Sequence, residues 1–209
     1  MSKCEHLIGS ALKPAVAGHL SQIYLAKGAL ATTAIEGNTL SEAEALDRVE
    51  GKKSLPKSRE YLGTELDNIV AAIRDIGSAV ADGKPLHLDV DRILNIHAQV
   101  LKGLDDPPDN VPGFFREHDV VVTGVYKAPP WPEVKGLVTQ LVEWLNAILK
   151  EAHKDSSHDN RFVSGLLASI LAHLYIAWIH PFGNGNGRTA RLVEVQLLAE
   201  AGVPLLATN

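Results

Sequence analysis

Apolar residues along most of the chain recur at steps of three and four, the spacing that places side chains on one face of an α-helix. One such stripe covers 62–80, and two more cover 90–101 and 132–148. Asp89 can cap the start of the second helix, and Pro132 suits the first turn of the third. The hydrophobic pattern therefore predicts an all-α fold.

The segment from Phe162 to Ile179 is apolar around almost its whole circumference. It is short for a membrane span, and it carries two serines and a histidine. A helix that is apolar on every side is expected in the interior of a protein. We therefore predict a buried central helix here and no membrane contact.

One stretch, 118–131, has the composition of β-strands. A run of β-branched residues is followed by a turn at Gly124 and then by prolines that end the pattern. The stretch is too short to found a sheet, so we predict a small exposed hairpin on the helical body.

Composition and charge narrow the classes of function. Of the 209 residues, 45% are hydrophobic and 22% are charged, as in a water-soluble domain. The formal net charge of -5 gives no electrostatic support for nucleic-acid binding. The single cysteine excludes a disulfide framework, and the first residues lack the pattern of a secretory signal, so a cytoplasmic protein is expected.

The residues best suited to chemistry lie in one stretch, HPFGNGNGRTAR at 180–191. Its glycines allow the backbone to approach an anion closely, and the helix expected over 188–202 would point its N-terminal amides at that anion. Arg188 and Arg191 lie three residues apart, so both can grip a polyphosphate from one helix face. His180, at the end of the preceding helix, is placed to act as a general base.

Other glycine-rich motifs fit this stretch less well. A dinucleotide-binding turn needs a preceding strand, and the segment before Gly183 has a helical pattern. A Walker loop needs a lysine and a hydroxyl after its last glycine, whereas Arg188 follows Gly187 here. A glycine-rich turn that binds no ligand is the remaining alternative.

Two motifs resemble those of the Fic family, enzymes that most often transfer AMP from ATP to a hydroxyl of a protein. Residues 180–191 match its signature HPF-x-x-GNGR-x-x-R, and ATTAIEGN at 31–38 is similar to its inhibitory motif, Ser/Thr-x-x-x-Glu-Gly/Asn. Thr32, Glu36 and Gly37 occupy the defined positions of the second motif. The resemblance implies the Fic fold, an all-α bundle with a short β-hairpin flap.

The resemblance also implies a role for each matched residue. His180 would deprotonate a Tyr, Thr or Ser hydroxyl of a target protein. A target segment would dock on the flap at about 118–127, and the chain itself can serve as a target, as in the family. ATP is the expected substrate, and its phosphates would be bound by the loop and the arginines: Gly185, Asn186, Gly187, Arg188 and Arg191.

The same resemblance divides the chain into two regions. Residues 1–87 would form an N-terminal helical region that carries the inhibitory helix at about 20–36, and 88–209 would form the Fic core. Glu36 would hold the enzyme inactive through a charge pair with Arg191 in the free protein.

Asn184 departs from the family pattern. The family usually has Asp or Glu at this position, where the carboxylate binds the magnesium that bridges the nucleotide phosphates. A neutral amide oxygen is a weaker ligand for a hard cation, so weakened magnesium use is expected. Two alternatives to an autoinhibited protein adenylyltransferase follow: a nucleotide-binding regulatory protein with little transferase activity, and an enzyme that removes AMP or transfers another phosphate-containing group.

Overall fold

Helices form the body of the protein in the computed structural model, which describes residues 13–52, 54–84, 87–104, 110–154 and 158–205. The predicted all-α fold is confirmed. A 3-10 turn, Lys57–Arg59, precedes the third helix. The helices of the described chain are α1 (Pro14–Ala34), α2 (Glu42–Val49), α3 (Glu60–Ala81), α4 (Val90–Val100), α5 (Trp131–Lys154), α6 (His158–Ile179) and α7 (Asn186–Glu200).

A two-stranded hairpin stands between α4 and α5. Strand β1 (Val121–Val122) pairs antiparallel with strand β2 (Tyr126–Lys127). Thr123 and Gly124 turn the chain between them with positive φ angles of 52° and 73°. This is the hairpin predicted from the β-branched run.

The hydrophobic pattern does not predict α2, because a helix of 8 residues offers too few periods to recognise. A local signal is nevertheless present: the Ser41 hydroxyl accepts from the Glu44 amide, and the Glu44 carboxylate accepts from the Ser41 amide. This capping box satisfies amides that a helix start otherwise leaves unpaired. Asp89 caps α4 as predicted, by accepting a hydrogen bond from the Arg92 amide at 2.6 Å.

One large hydrophobic core contains residues from both regions predicted from the sequence. Helix α7 lies at its centre and packs against α1, α3, α4 and α6. Most of the side chains of α7 are buried, from Asn186 at its start to Ala199 near its end. The start of α7 is therefore held in place by packing on several sides. Other fully buried side chains of the core come from the surrounding helices, among them Leu66, Ile69, Ile93 and Ile176.

Helix α6 is only partly covered, so the prediction of a buried central helix is wrong. It packs against α5 and α7, but only 33% of its apolar window Asp159–Ile179 is buried. The central position goes to α7, which has helices on more sides. The window also has the length and hydropathy of a membrane span, a property that core helices of water-soluble proteins share. Large apolar side chains of α6 that are exposed include Val163, Leu167, Ile170, Leu174 and Trp178.

A glycine in α6 tests how closely α6 and α7 pack, and a glycine in α5 is the control. A Cβ built on Gly165 of α6 would collide with Ala201, whereas a Cβ built on Gly136 of α5 would meet nothing within 4 Å. Because alanine favours a helix over glycine by about 1 kcal/mol, Gly136→Ala should raise the free energy of unfolding by roughly that amount. Gly165→Ala should lower it by about 1–3 kcal/mol, the usual cost of overpacking. Urea denaturation measures both changes, and equal stabilisation by the two substitutions would contradict the close contact.

Candidate functional site

The loop between α6 and α7 is shaped by two residues with positive φ. His180, which follows α6, has φ 50°, an uncommon value for a residue with a side chain. Gly185 has φ 72° at the N-cap of α7, and a Cβ there would lie 3.3 Å from the side chain of Leu101. Glycine suits this position both for its backbone freedom and for the close approach of α4.

The side chain of Asn186 holds the loop closed. Its Oδ1 accepts a hydrogen bond from the Phe182 amide at 2.9 Å, and its Nδ2 donates to the Phe182 carbonyl at 2.8 Å. Asn186 is 3% exposed, so both bonds are shielded from water. Because these bonds engage both ends of the side-chain amide, the group of Asn186 that remains for the predicted anion binding is its backbone amide.

The backbone amides at the start of α7 are arranged as the predicted anion site requires. The first hydrogen bond of the helix runs from the Thr189 amide to the Gly185 carbonyl at 2.9 Å. The amides of 186–188 come before it and therefore have no acceptor within the helix. Together with the positive end of the helix dipole, they favour a bound anion.

Glu36 lies against this anion site. A Cβ built on Gly187 would collide with Oε1 of Glu36, so the carboxylate faces the backbone of the first helical turn. One turn earlier, the Thr32 hydroxyl donates to the Gly28 carbonyl at 2.8 Å. Gly37, with φ 96°, redirects the chain after α1. The inhibitory motif predicted from the sequence thus brings a carboxylate to the place where a phosphate would bind.

Arg191 is not paired with Glu36, so the predicted charge pair is wrong. Its Nη1 donates to Oε2 of Glu194 at 3.0 Å, and the same oxygen lies 2.7 Å from Nδ1 of His173. Glu194 follows Arg191 by three residues and shares its helix face, so this pair forms without help from a distant segment. Burial raises the pKa of Glu194, but the His173 hydrogen bond and the Arg191 charge lower it, and the net shift is downward.

Arg188 is buried and already has partners. It is 3% exposed, its Nη1 donates to Oε1 of Glu65 at 2.9 Å, and its Nη2 donates to Oδ1 of Asn184 at 3.2 Å. Glu65 also accepts a hydrogen bond at 2.9 Å from Asn38, the last residue of the 31–38 stretch. This counter-charge offsets the cost of removing the Arg188 charge from water. Sequence reasoning missed Glu65, because it lies 123 residues from Arg188 and no motif contains it.

His97 connects separate parts of the site. Its ring stacks on the fully buried ring of Phe182, with centroids 3.7 Å apart. Nδ1 accepts a hydrogen bond from the Gly113 amide at 3.0 Å, so the ring proton lies on Nε2, which donates to the Asn184 carbonyl at 3.1 Å. The ring thereby joins the segment before the hairpin to the loop before α7. A histidine on an apolar helix stripe carries no sequence signal of this role.

His180 is arranged as a neutral base. Its Nδ1 lies 3.3 Å from the Ala177 carbonyl, so Nδ1 carries the proton and Nε2 is left as the acceptor. Burial lowers the pKa of His180, the Ala177 hydrogen bond and Glu36 raise it, and Arg116 lowers it; the net pKa is below the ordinary value. The imidazole is therefore unprotonated at neutral pH, as a general base must be.

Comparison with known proteins agrees with this geometry. The family model of the Fic/DOC family matches residues 87–198, more than half of the chain. The chain belongs to the Fic/DOC family. Protein adenylyltransferase Fic of Drosophila ananassae is 34% identical to it over 179 residues, which cover 83% of this chain and 32% of that protein. This Fic chain thus spans about a third of the length of such relatives.

Solved Fic structures share the fold. A Fic domain-containing signalling protein from Bacteroides thetaiotaomicron matches with a TM-score of 0.73 at 22% identity, over 94% of this chain and 70% of that one. Fic-1 from C. elegans matches with a TM-score of 0.70 at 27% identity, over 96% of this chain and 54% of that one. The helical bundle with its small hairpin is therefore the Fic fold.

In this Fic chain, Asn184 is not placed as a ready magnesium ligand. Its Oδ1 accepts hydrogen bonds from the Gly185 amide at 2.7 Å and from Arg188 at 3.2 Å, which occupy its two lone pairs. Across the described residues there is no group of three or more His, Cys, Asp or Glu side chains that could hold a metal ion. To bind a cation in this arrangement, Asn184 would have to release one of its two donors.

Asn186→Ala tests whether the loop depends on the two bonds to Phe182. The variant leaves a buried amide and a buried carbonyl without partners, at a cost of about 1–3 kcal/mol for each. It also loosens the turn that presents the amides of 186–188. We expect a lower free energy of unfolding, measured by urea denaturation, and weaker binding of ATP, measured by calorimetry.

Asn146→Ala is the matched control. Its side chain donates to the Leu88 carbonyl at 2.8 Å, between α5 and the start of α4, and it has no bond to the loop. It should lose stability and keep its affinity for ATP. If Asn186→Ala also binds ATP as tightly as the unchanged chain, the Asn186 bonds do not shape the anion site.

Proposed function

We propose that this protein is an adenylyltransferase that transfers AMP from ATP to a hydroxyl side chain of a target protein. The observation that carries the proposal is a neutral base, His180, on the same loop as an anion site made of backbone amides. Transfer of a phosphate-containing group to a hydroxyl needs these two parts. The names of the Drosophila relatives support the same reaction.

The proposed reaction follows from the positions of these groups. The amides of 186–188 bind the phosphates of ATP and stabilise the charge that develops on them. Nε2 of His180 takes the proton of the target hydroxyl while the hydroxyl oxygen bonds to the α-phosphorus. The bond from that phosphorus to the β-phosphate oxygen breaks, and pyrophosphate leaves. The target keeps AMP as a phosphodiester, and His180 later returns its proton to solvent.

The two arginines have different tasks in this proposal. Arg188 is committed to Glu65, so this ion pair supports the loop from behind. The side chain of Arg191 is 32% exposed and is held by Glu194, its neighbour on the helix. Arg191 can therefore exchange this carboxylate for the γ-phosphate of ATP, whereas Arg188 cannot leave its partner without stranding a buried charge.

The hairpin supplies a docking edge for the target. Val121 and Val125 are 59% and 88% exposed, so the hairpin projects from the helical body. A sheet of two strands leaves backbone groups unpaired on both outer edges, and an extended target segment can pair with them. Docking of this kind would present a Tyr, Thr or Ser hydroxyl to His180. The target can be another copy of the same chain, which makes self-modification a practical assay.

Glu36 restrains the enzyme by occupying the anion site. Its carboxylate faces Gly187, where a phosphate of ATP would bind. The negative charges of the carboxylate and of that phosphate would repel each other. This mechanism differs from inhibition through Arg191, which would misplace the γ-phosphate and leave the rest of the nucleotide bound. Competition at the backbone amides should weaken ATP binding as well as transfer.

Glu36→Gly should therefore raise both ATP affinity and self-modification. A charge-assisted contact is worth about 1.5–3 kcal/mol, which corresponds to a gain of roughly tenfold to hundredfold. Calorimetry measures the affinity, and mass spectrometry of the chain after incubation with ATP and magnesium measures the modification. Glu36→Gln keeps the shape of the side chain without its charge and should give part of the gain.

His180→Ala in the Glu36→Gly background is the control for the chemistry. Loss of a general base costs roughly a hundredfold to ten-thousandfold in rate, so modification should vanish while ATP affinity stays. Equal affinity and equal modification in the unchanged chain and in Glu36→Gly would contradict restraint by Glu36. Loss of ATP binding with His180→Ala would contradict its assignment as the base.

A second candidate function is a nucleotide-binding regulatory protein with little transferase activity. The observation that favours it is Asn184, which is neutral and whose oxygen is already engaged by two donors. Removal of AMP from a target would use the same base and the same anion site. The dependence of modification on magnesium concentration distinguishes these candidates from an efficient transferase.

Asn184→Asp in the Glu36→Gly background makes this comparison. Aspartate has nearly the same shape, still accepts both hydrogen bonds, and adds the negative charge that a hard divalent cation prefers. We expect half-maximal modification at a lower magnesium concentration, and a larger gain in ATP affinity when magnesium replaces a chelator in calorimetry. If Glu36→Gly alone is as fast as the double variant at low magnesium, the carboxylate is not needed and the regulatory candidate loses its support.

A further inference from the structure

Arg116 is a buried arginine for which the proposed reaction has no direct use. It is 2% exposed, and its guanidinium donates to backbone carbonyls. Nε donates to His180 at 2.8 Å, Nη1 to His118 at 2.7 Å, and Nη2 to Pro129 at 2.6 Å, with Ile179 at 3.5 Å from Nη2. Among the residues that the structure describes, no carboxylate pairs directly with it, although the charge of Asp119 acts on it from further away and raises its pKa against the larger effect of burial.

Burial of a cation costs free energy, so the contacts that hold the Arg116 guanidinium need a physical explanation. Burial lowers the pKa of Arg116, as expected for a charge removed from water, yet a guanidinium stays protonated in proteins. Its five N–H donors lie in one rigid plane, whereas a lysine offers a single ammonium on a flexible stem. The carbonyls at the end of α6 carry the negative end of the helix dipole, which partly offsets the cost. Arginine is thus suited to hold several carbonyls in one fixed arrangement.

The carbonyls belong to segments that a transfer reaction must align. His118 and Pro129 lie on either side of the β1–β2 hairpin. His180 is the proposed base, and its positive φ is held by contacts on its own carbonyl. The backbone amide of Arg116 also donates to the Pro181 carbonyl at 3.0 Å. One residue therefore contacts both ends of the hairpin and the backbone around the base.

We propose that Arg116 is a positioning residue that sets the distance between the target-docking hairpin and His180. The proposal rests on the transferase function argued above. A rigid guanidinium bonded to both ends of the hairpin and to the carbonyl of the base makes a docked hydroxyl arrive within reach of Nε2. Water reaches the α-phosphorus without the hairpin. Arg116 therefore controls transfer of AMP to protein more strongly than hydrolysis of ATP to AMP.

The test compares these two products in the Glu36→Gly background. After incubation with ATP and magnesium, mass spectrometry measures AMP attached to the chain, and chromatography measures free AMP. Arg116→Lys should lower attached AMP by about a hundredfold, the usual effect of a misplacement of about 1 Å, and should change free AMP only a few-fold. The ratio of the two products separates positioning from general destabilisation, which lowers both together.

Arg48→Met is the matched control. Arg48 bridges Glu60 and Asp67, each at 2.7 Å, between α2 and α3, away from the hairpin. Its loss should leave the ratio of attached to free AMP unchanged. Hydrogen exchange gives a second readout that needs no activity: the amides of 121–127 should exchange faster in Arg116→Lys than in Arg48→Met.

The outcomes distinguish the inference from the function on which it rests. An unchanged product ratio, or unchanged exchange in the hairpin, would overturn the positioning role and leave the transferase function standing. Absence of both products in the Glu36→Gly parent would overturn the transferase function, and with it the positioning role.

A second variant covers the case in which Arg116→Lys does not fold. The Tyr126 hydroxyl donates to the Trp178 carbonyl at 3.0 Å, which is another tether between the hairpin and the end of α6. Tyr126→Phe removes this tether without stranding a buried charge. It should lower the ratio of attached to free AMP severalfold, and an unchanged ratio would overturn the proposal.

Discussion

Two hydrogen bonds between the Asn186 side chain and the Phe182 backbone hold the loop on which the whole site depends. They close the turn between α6 and α7, and they keep Phe182 in the core against the ring of His97. With the loop closed, the amides of 186–188 keep their direction at the helix start while His180 stays at the end of α6. Packing of α7 positions the helix, and these bonds act together with the burial of Phe182 to position the residues that lead into it.

Two buried arginines shape the electrostatics of the site in opposite ways. Arg188 is neutralised by Glu65, whereas Arg116 is surrounded by carbonyl oxygens. In the described part of the chain, no carboxylate pairs directly with Arg116, although the charge of Asp119 acts on it from further away. The positive charge of Arg116 adds to the effect of burial in lowering the pKa of His180. The same guanidinium that holds the hairpin thus helps to keep the imidazole neutral.

Two carboxylates lie at groups that would bind ATP phosphates in the proposed reaction. Glu36 comes from the turn after α1 and lies on the first turn of α7, while Glu194 belongs to α7 and holds Arg191. The second contact is local, so it does not depend on how the N-terminal helix is docked. Release of Glu36 would open the backbone amides and leave Arg191 still bound to its neighbour. Under the proposed function, binding of a triphosphate would involve two separate exchanges of a carboxylate for a phosphate.

Local patterns in the sequence determined most of the helices, the hairpin and the anion loop, because a helical period, a turn or a cap depends on a few neighbouring residues. Even α2 has its local signal in a capping box. Only the tertiary structure decided which charges pair. Glu65 pairs with Arg188 across 123 positions. Arg191 pairs with Glu194, although the motifs predict a pair with Glu36. It also decided that α7 is central and α6 half covered, since an apolar helix does not specify which surfaces will cover it. The sequence determines which side chains are able to interact, and packing decides which of them meet.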